Sequence, residues 1–304
     1  MRSVCLPFFL VIAVSPAFAE DLPLASAGVN GLPELEFSQL SQRDPNPLAE
    51  KALAIHPEQW KHAETEHFIY HFVHGYVATP ISVEAEFHYR VVAKELEREQ
   101  PLTDVKSHIY IFENPEQWQQ FQGFGQLEPW TGGIHSMGSL FIQRNPRYRF
   151  SGNLLGHEIV HLVVHRFYPD GVPCWLNEGM AQYISKTAHA SYQRARGYLA
   201  KPHSDSVAAE ELIPLTTLIR LTHPPSEKVE TFYDESEKLV RFLANADKHS
   251  FLEFFAALCR HEPFENALSR YYAGKIPNVA TLEEQFREYA AKDIGSQLQQ
   301  VDSD

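Results

Sequence analysis

The sequence predicts an α+β fold, with a small mixed β-sheet and its helices first and a mainly helical C-terminal lobe after it. Three observations predict this. Strand-like alternation of aromatic and β-branched residues is confined to the first half, at 67–72, 105–112 and 138–143. After Ser185 the pattern turns helical, broken at Pro202, Pro224-Pro225, Asp247-Lys248, Glu262-Pro263 and Gly274–Pro277. Between the two lies a segment apolar on most sides, from Leu154 to Phe167, that carries His157-Glu158-Ile159-Val160-His161. No internal repeat or low-complexity stretch interrupts this order.

The chain opens with Met1-Arg2, an apolar run from Val4 to Val14, and Ala17-Phe18-Ala19. A positive start, a short apolar run and an Ala-x-Ala site predict a secretory signal peptide cleaved after Ala19, and an exported protein, periplasmic or secreted. Residues 20–60 show no lasting period and are expected to form an N-terminal arm that packs on the surface or stays partly mobile. A catalytic lobe is expected over 61–186 and the helical lobe over 187–304. In the first strand His67 and His71 share phase, so a second metal site is conceivable there, although exposed strand histidines are commoner. A helix over 81–99 turns Phe87, Val91, Val92 and Leu96 inward, and a short helix is expected at 116–121. Gly123-Phe124-Gly125 and Trp130-Thr131-Gly132-Gly133 are turn chemistry ahead of the strand at 138–143.

The segment after Asn153 or Ser151, either of which can cap it, reads as a buried helix ended by Tyr168-Pro169-Asp170-Gly171. Residues four apart lie on one helix face, about 6 Å apart along the axis. His157 and His161 can therefore reach one ion, while Glu158, about 100° round, is free to serve as a base toward a water there. The alternative is a pair of core histidines satisfied by hydrogen bonds. Buried polar groups are costly unless paired or bound to metal. A second helix, started by Pro173, carries Glu178 amid Trp175, Leu176, Met180 and Ala181. Zinc in a catalytic site takes three protein ligands, and two histidines with a glutamate are a common set. Gly179 inside that helix points to close packing. His165 lies about 12 Å along the axis from His157, too far to share an ion on a straight helix, and Phe167 stands where a third histidine ligand of another zinc motif would fall.

His157-Glu158-x-x-His161 followed by Trp175-Leu176-Asn177-Glu178-Gly179 resembles the gluzincins, the thermolysin-like zinc metallopeptidases, and is closest to their compact peptidase MA-like group. The resemblance implies a thermolysin-like zincin core, one zinc ion per chain on His157, His161 and Glu178, and Glu158 as catalytic base. It also implies an extended peptide substrate pairing with an edge strand, which the order of elements places at 138–143. Gluzincins supply an oxyanion donor from a Tyr or His on the helical side, and Thr231-Phe232-Tyr233-Asp234-Glu235-Ser236 resembles the Tyr-x-x-Ser segment that opens the corresponding helix. Tyr233 is the candidate, with Tyr183 and His223 in reserve. Two departures stand out: sixteen residues separate His161 from Glu178, slightly fewer than in related aminopeptidases, and Gln182 sits where related chains often carry an acidic residue.

In the C-terminal lobe helices are expected at 188–200, 208–222, 230–246, 249–260, 263–272 and 281–292. The formal net charge is −13, becoming −14 without Arg2, and Lys and Arg form no concentrated run. That argues against nucleic acid and anionic membrane as partners. No stretch after the leader has the ~18 apolar residues of a membrane span. Cys174 and Cys259, the pair left after Cys5 departs with the leader, can be bridged or free in an oxidising compartment. The chemistry expected is zinc-assisted amide hydrolysis, by an endopeptidase in the absence of any Gly-x-Met-Glu-Asn exopeptidase motif. The alternatives are a catalytically silent peptidase-like binding or assembly factor and a zinc amidase acting on cell-wall peptides; intact Glu158 and all three ligands weigh against the silent factor.

Overall fold

The computed structural model describes residues 31–98, 105–125, 127, 131–144, 154–195 and 212–291. The leader, the helix caps at Ser151 and Asn153, and the stretches 196–200 and 208–211 expected as helix lie outside them. The fold is α+β. Five strands, β1 (Lys61–Glu64), β2 (Phe68–Phe72), β3 (Ser107–Phe112), β4 (Gly133–Ser136) and β5 (Ser139–Gln143), form one mixed sheet in the order β1-β2-β3-β5-β4. β2, β3 and β5 run parallel, and β1 and β4 close the two edges antiparallel.

Alternation along the strands sorts the core into two layers. Phe68, Tyr70, Phe72, Ile109, Ile111, Leu140 and Ile142 face α2 (Gly75–Glu95) and α4 (Leu154–Phe167) in the large core. Tyr110, Phe112 and Phe141 face the other way, onto α1 (Pro47–Leu53) and α3 (Pro115–Gly125), with Trp60, Trp118 and Phe121. There Phe141 stacks between Tyr110 and Phe121, each at 4.7 Å between ring centroids. Such pairs add about 0.5–1.5 kcal/mol each beyond area burial. The described part of the arm is therefore packed: its apolar residues Ala49, Ala52 and Ile55 cover the second face of the sheet.

The helical lobe follows: α5 (Cys174–Ala195), α6 (Leu215–Leu218), α7 (Val229–Ala246), α8 (Lys248–Cys259), α9 (Phe264–Tyr272) and α10 (Val279–Ala290). Four of these match the helices expected at 230–246, 249–260, 263–272 and 281–292. Three expectations are corrected. α2 starts at Gly75, so Pro80 lies inside it; Thr79 Oγ1 donates to Gly75 O at 2.8 Å where the backbone ladder is weakened. The helix expected at 208–222 is reduced in its described part to α6, because Pro214, its N-cap, stops any continuation backward. The helix expected at 188–200 is, in its described part, no separate element: α5 runs unbroken from Cys174 to Ala195, since nothing around Ser185 breaks a helix.

The strand expected as an open edge is not one. β5 is bonded on one side to β3 and on the other to β4. The edge belongs to β4, which folds back from β5 through the two-residue turn Met137-Gly138, with φ of 46° and 81°. Positive φ at both positions matches the mirror-image turns that suit strand twist.

Candidate metal centre

α4 lies against β4 and β5, and α5 returns beside it after the Tyr168–Pro173 turn. The first turn of α5 is set by Pro173, whose carbonyl accepts from Asn177 N at 2.9 Å. This geometry brings three donor atoms together. His157 Nε2 and His161 Nε2 are 3.0 Å apart, and Glu178 Oε2 lies 3.2 and 3.4 Å from them. Glu178 Oε2 is buried and makes no hydrogen bond despite its neighbours. Burial pushes the Glu178 carboxyl up, but contact with His157 and His161 outweighs it and brings it down to about 2, so it is a carboxylate. An orphaned anionic oxygen beside two imidazole nitrogens is the donor set a divalent zinc ion takes, and the residues fit that ion.

His161 is oriented from behind. Its Nδ1 meets Asn177 Oδ1 at 3.1 Å, which as an acceptor fixes the proton on Nδ1 and leaves Nε2 its lone pair. Support for this histidine thus comes from the residue just before Glu178. The only signal in the sequence was its position, a polar amide directly ahead of Glu178.

Glu158 is buried on the β4 side of α4. Burial raises its carboxyl above the usual range, against the pull of His161 and His157, and the backbone N–H of His135 donates to it. Gly133 leaves room there: an added Cβ would sit 3.3 Å from Ile142 Cγ2 and 3.6 Å from Glu158 Cγ. His135, which the sequence did not single out, stacks edge-on with His165 at 5.5 Å and is kept neutral by burial, with its pKa lowered to about 3.

Tyr233 comes from α7. Its ring stands edge-on to His157, with centroids 6.3 Å apart. Gly179 makes this approach possible. A Cβ there would lie 2.4 Å from Ser236 O and 2.8 Å from Val240 Cγ2, so α5 and α7 pack backbone against backbone at this point. The close packing expected at Gly179 is present. Burial, then the charges of Glu178 and Glu158, push the Tyr233 hydroxyl up to about 12. It stays protonated and can donate.

Thus His157, His161, Glu178, Glu158 and Tyr233 are gathered in one place. The reserves are not: His223 is exposed beside Thr222, and Tyr183 lies among Glu95, Arg241 and Glu237. Cys174 and Cys259 are both free thiols, and burial followed by the Glu178 charge holds Cys174 up at about 11. His67 and His71 do not share a site. His67 Nδ1 meets Glu86 Oε2 at 2.6 Å, whereas His71 is buried between His62 and His108. Glu66, His67 and Glu86 form the second group of ligand-type side chains among the described residues. Glu86 is already occupied by Thr65 Oγ1 and by the backbone and ring N–H of His67, so this is a hydrogen-bonded pair in the fold.

Fold and site together define a metallopeptidase-like protein. The chain belongs to the Peptidase MA superfamily, whose family model matches residues 95–292. No curated protein matches it. The match begins at the last residue of α2, so the arm, β1 and β2 lie ahead of it.

Proposed function

We propose that the protein is an exported zinc-dependent endopeptidase of the gluzincin type. One observation carries the reading: His157 Nε2, His161 Nε2 and the orphaned Glu178 Oε2 converge beside the buried Glu158 carboxylate. Zinc held by these three residues would supply Lewis acidity to a water and to the scissile carbonyl. Glu158 takes the proton from that water and returns it to the leaving amine; its raised pKa suits a group that must gain and lose a proton. Tyr233 donates its hydroxyl to the oxyanion that develops on the carbonyl. β4 aligns the substrate. Gln143 N donates to Gly132 O, so pairing alternation points both backbone groups of Gly133 and the carbonyl of His135 outward along the edge, where an extended peptide can add as a strand. Among the described residues no helix is long and apolar enough to cross a membrane, and export rests on the leader at 1–19.

The test is zinc analysis of the purified protein with digestion of a broad peptide library. One zinc per chain and internal cleavage of peptides are expected. Glu158→Gln, which keeps shape but cannot accept the proton, should retain zinc and lose about 10²–10⁴ in kcat. Cleavage by that variant at the wild-type rate would refute the base assignment, and release of terminal residues alone would refute the endopeptidase.

A further inference from the structure

β4 is the least supported strand of the sheet. It has four residues, none of them fully buried, and a single neighbour, β5. A two-stranded hairpin is marginal by itself. Its tip, however, is gripped from the N-terminal arm. Asn46, only 1% exposed, donates Nδ2 to Ser136 O at 2.8 Å, while its Oδ1 accepts from Leu48 N at 2.9 Å and caps α1. The two partners fix the amide orientation, since a carbonyl can meet only the NH₂ and an N–H only the oxygen. Asp44 Oδ1 accepts from Asn46 N at 2.9 Å. Its Oδ2 accepts from Ser139 Oγ at 2.6 Å and from Tyr110 OH at 2.9 Å. Ser136 and Ser139 are the pair that closes the Met137-Gly138 turn. Both ends of the turn are thus tied to one three-residue segment.

That segment is itself immobilised. α1 follows it directly, and Ala49, Ala52 and Ile55 are buried against Tyr110, Phe112 and Phe141. Strands rise about 3.3 Å per residue, so Gly133 lies about 10 Å from the gripped Ser136. The neighbour of Ser136 is His135, whose carbonyl, with the backbone groups of Gly133, faces the open edge. A shift of the tip is carried along a short strand to the edge groups of Gly133, while Glu158 keeps its place on α4.

We propose that Asp44 and Asn46 are positioning residues for substrate: they set the register and height of β4, so the cleft edge depends on an arm outside the family-matched residues. The inference rests on the peptidase reading above for its functional consequence, but its structural part stands alone. Asn46→Ser keeps a capping oxygen for α1 and is too short to reach Ser136; Ser139→Ala removes the other tie. In the zinc-loaded full chain, KM for an extended peptide should rise about 3- to 10-fold, the scale of one or two net hydrogen bonds, with kcat within about 2-fold. A short substrate spanning only the scissile bond should be unaffected. Hydrogen exchange should quicken at 133–143 in both variants and nowhere else.

Unchanged exchange at 133–143, or exchange that rises throughout the chain, overturns the clamp. Equal losses on long and short substrates overturn its role in substrate positioning. A wild-type protein that cleaves no peptide defeats the peptidase reading instead, and exchange still reports on the clamp.

Discussion

Two sets of histidines in this molecule bring their nitrogens about equally close in different chemical settings. On α4, His157 Nε2 and His161 Nε2 are 3.0 Å apart. Across β1, β2 and β3, His62 Nδ1 meets His71 Nδ1, and His71 Nε2 meets His108 Nδ1, each at 2.9 Å. In the sheet every contact is a hydrogen bond, with one ring supplying the proton and the next the lone pair. His71 also stacks on Tyr110, with centroids 4.3 Å apart. Among the described residues no carboxylate joins this ladder to complete a ligand group. In the helix pair one does, and its oxygen has no hydrogen bond of its own. Close imidazoles are therefore not what marks a metal centre. The mark is an unspent anionic lone pair aimed at the same point.

The largest effect should come from exchanging the decisive element. Glu178→Ala removes the carboxylate and should abolish stable zinc binding and with it turnover, leaving two histidines that resemble the sheet ladder. His71→Gln, on the other side of the comparison, should leave zinc stoichiometry at wild type. Metal analysis of both proteins decides the matter: zinc retained in Glu178→Ala, or lost in a folded His71→Gln, would reverse the two assignments.

The next effect separates the companions of the proposed metal from its proposed ligands. Tyr233→Phe removes one hydroxyl from a ring that stands edge-on to His157 and changes little volume. If the hydroxyl serves the oxyanion, kcat should drop about 10²–10³-fold with zinc and fold intact, the scale of one lost oxyanion donor. An unchanged kcat would return Tyr233 to a packing role between α7 and the histidines.

What the sequence showed of this site, and what it hid, follows from the range of the interactions. The spacing of His157 and His161 is local, fixed by the helical repeat, and α5 bears Glu178 one short turn away, so the donor set was readable. Gly179 and Tyr233 were readable in part, because a glycine inside a helix and a phenol at a helix start are local oddities with few explanations. β4 was not. Its residues, Gly133-Ile134-His135-Ser136, begin inside the Gly132-Gly133 pair that reads as turn, and its own turn has Met137 at positive φ, where Asn or Gly would have signalled a hairpin. Hence the residues alone point to β5 as the edge, and the pairing of β4 shows otherwise. The grip of Asp44 and Asn46 on the hairpin spans about ninety residues of sequence, and hydrogen bonds at that separation leave no periodic trace. The sheet ladder was hidden for the same reason: His62, His71 and His108 meet only once the register of three strands is set.

The ladder sharpens the comparison most gently, through acid. Burial, followed by the charge of Arg43, lowers His62 from 6.5 to about 4. Burial, then neighbouring His108 and His62, holds His71 well below 6.5, and burial lowers His108 despite Asp44 and Glu64. In the unfolded chain these rings protonate near 6.5, so between that pH and the lowered values the unfolded state binds more protons. Stability supplied by the neutral ladder is therefore complete above about pH 6.5 and is lost as pH falls toward 4. Each unit of difference is worth about 1.4 kcal/mol, which places the cost in acid at a few kcal/mol. The physical reason is plain in the geometry: a second proton on His71 would leave two N–H groups facing rings that are also neighbours in line. Urea midpoints measured from pH 7.5 to 4.5 should fall steeply for the wild type and less steeply for His62→Gln, which can still hydrogen-bond His71 but does not titrate. Identical slopes in the two proteins would show that the acid-sensitive groups lie elsewhere and that the ladder is indifferent to charge.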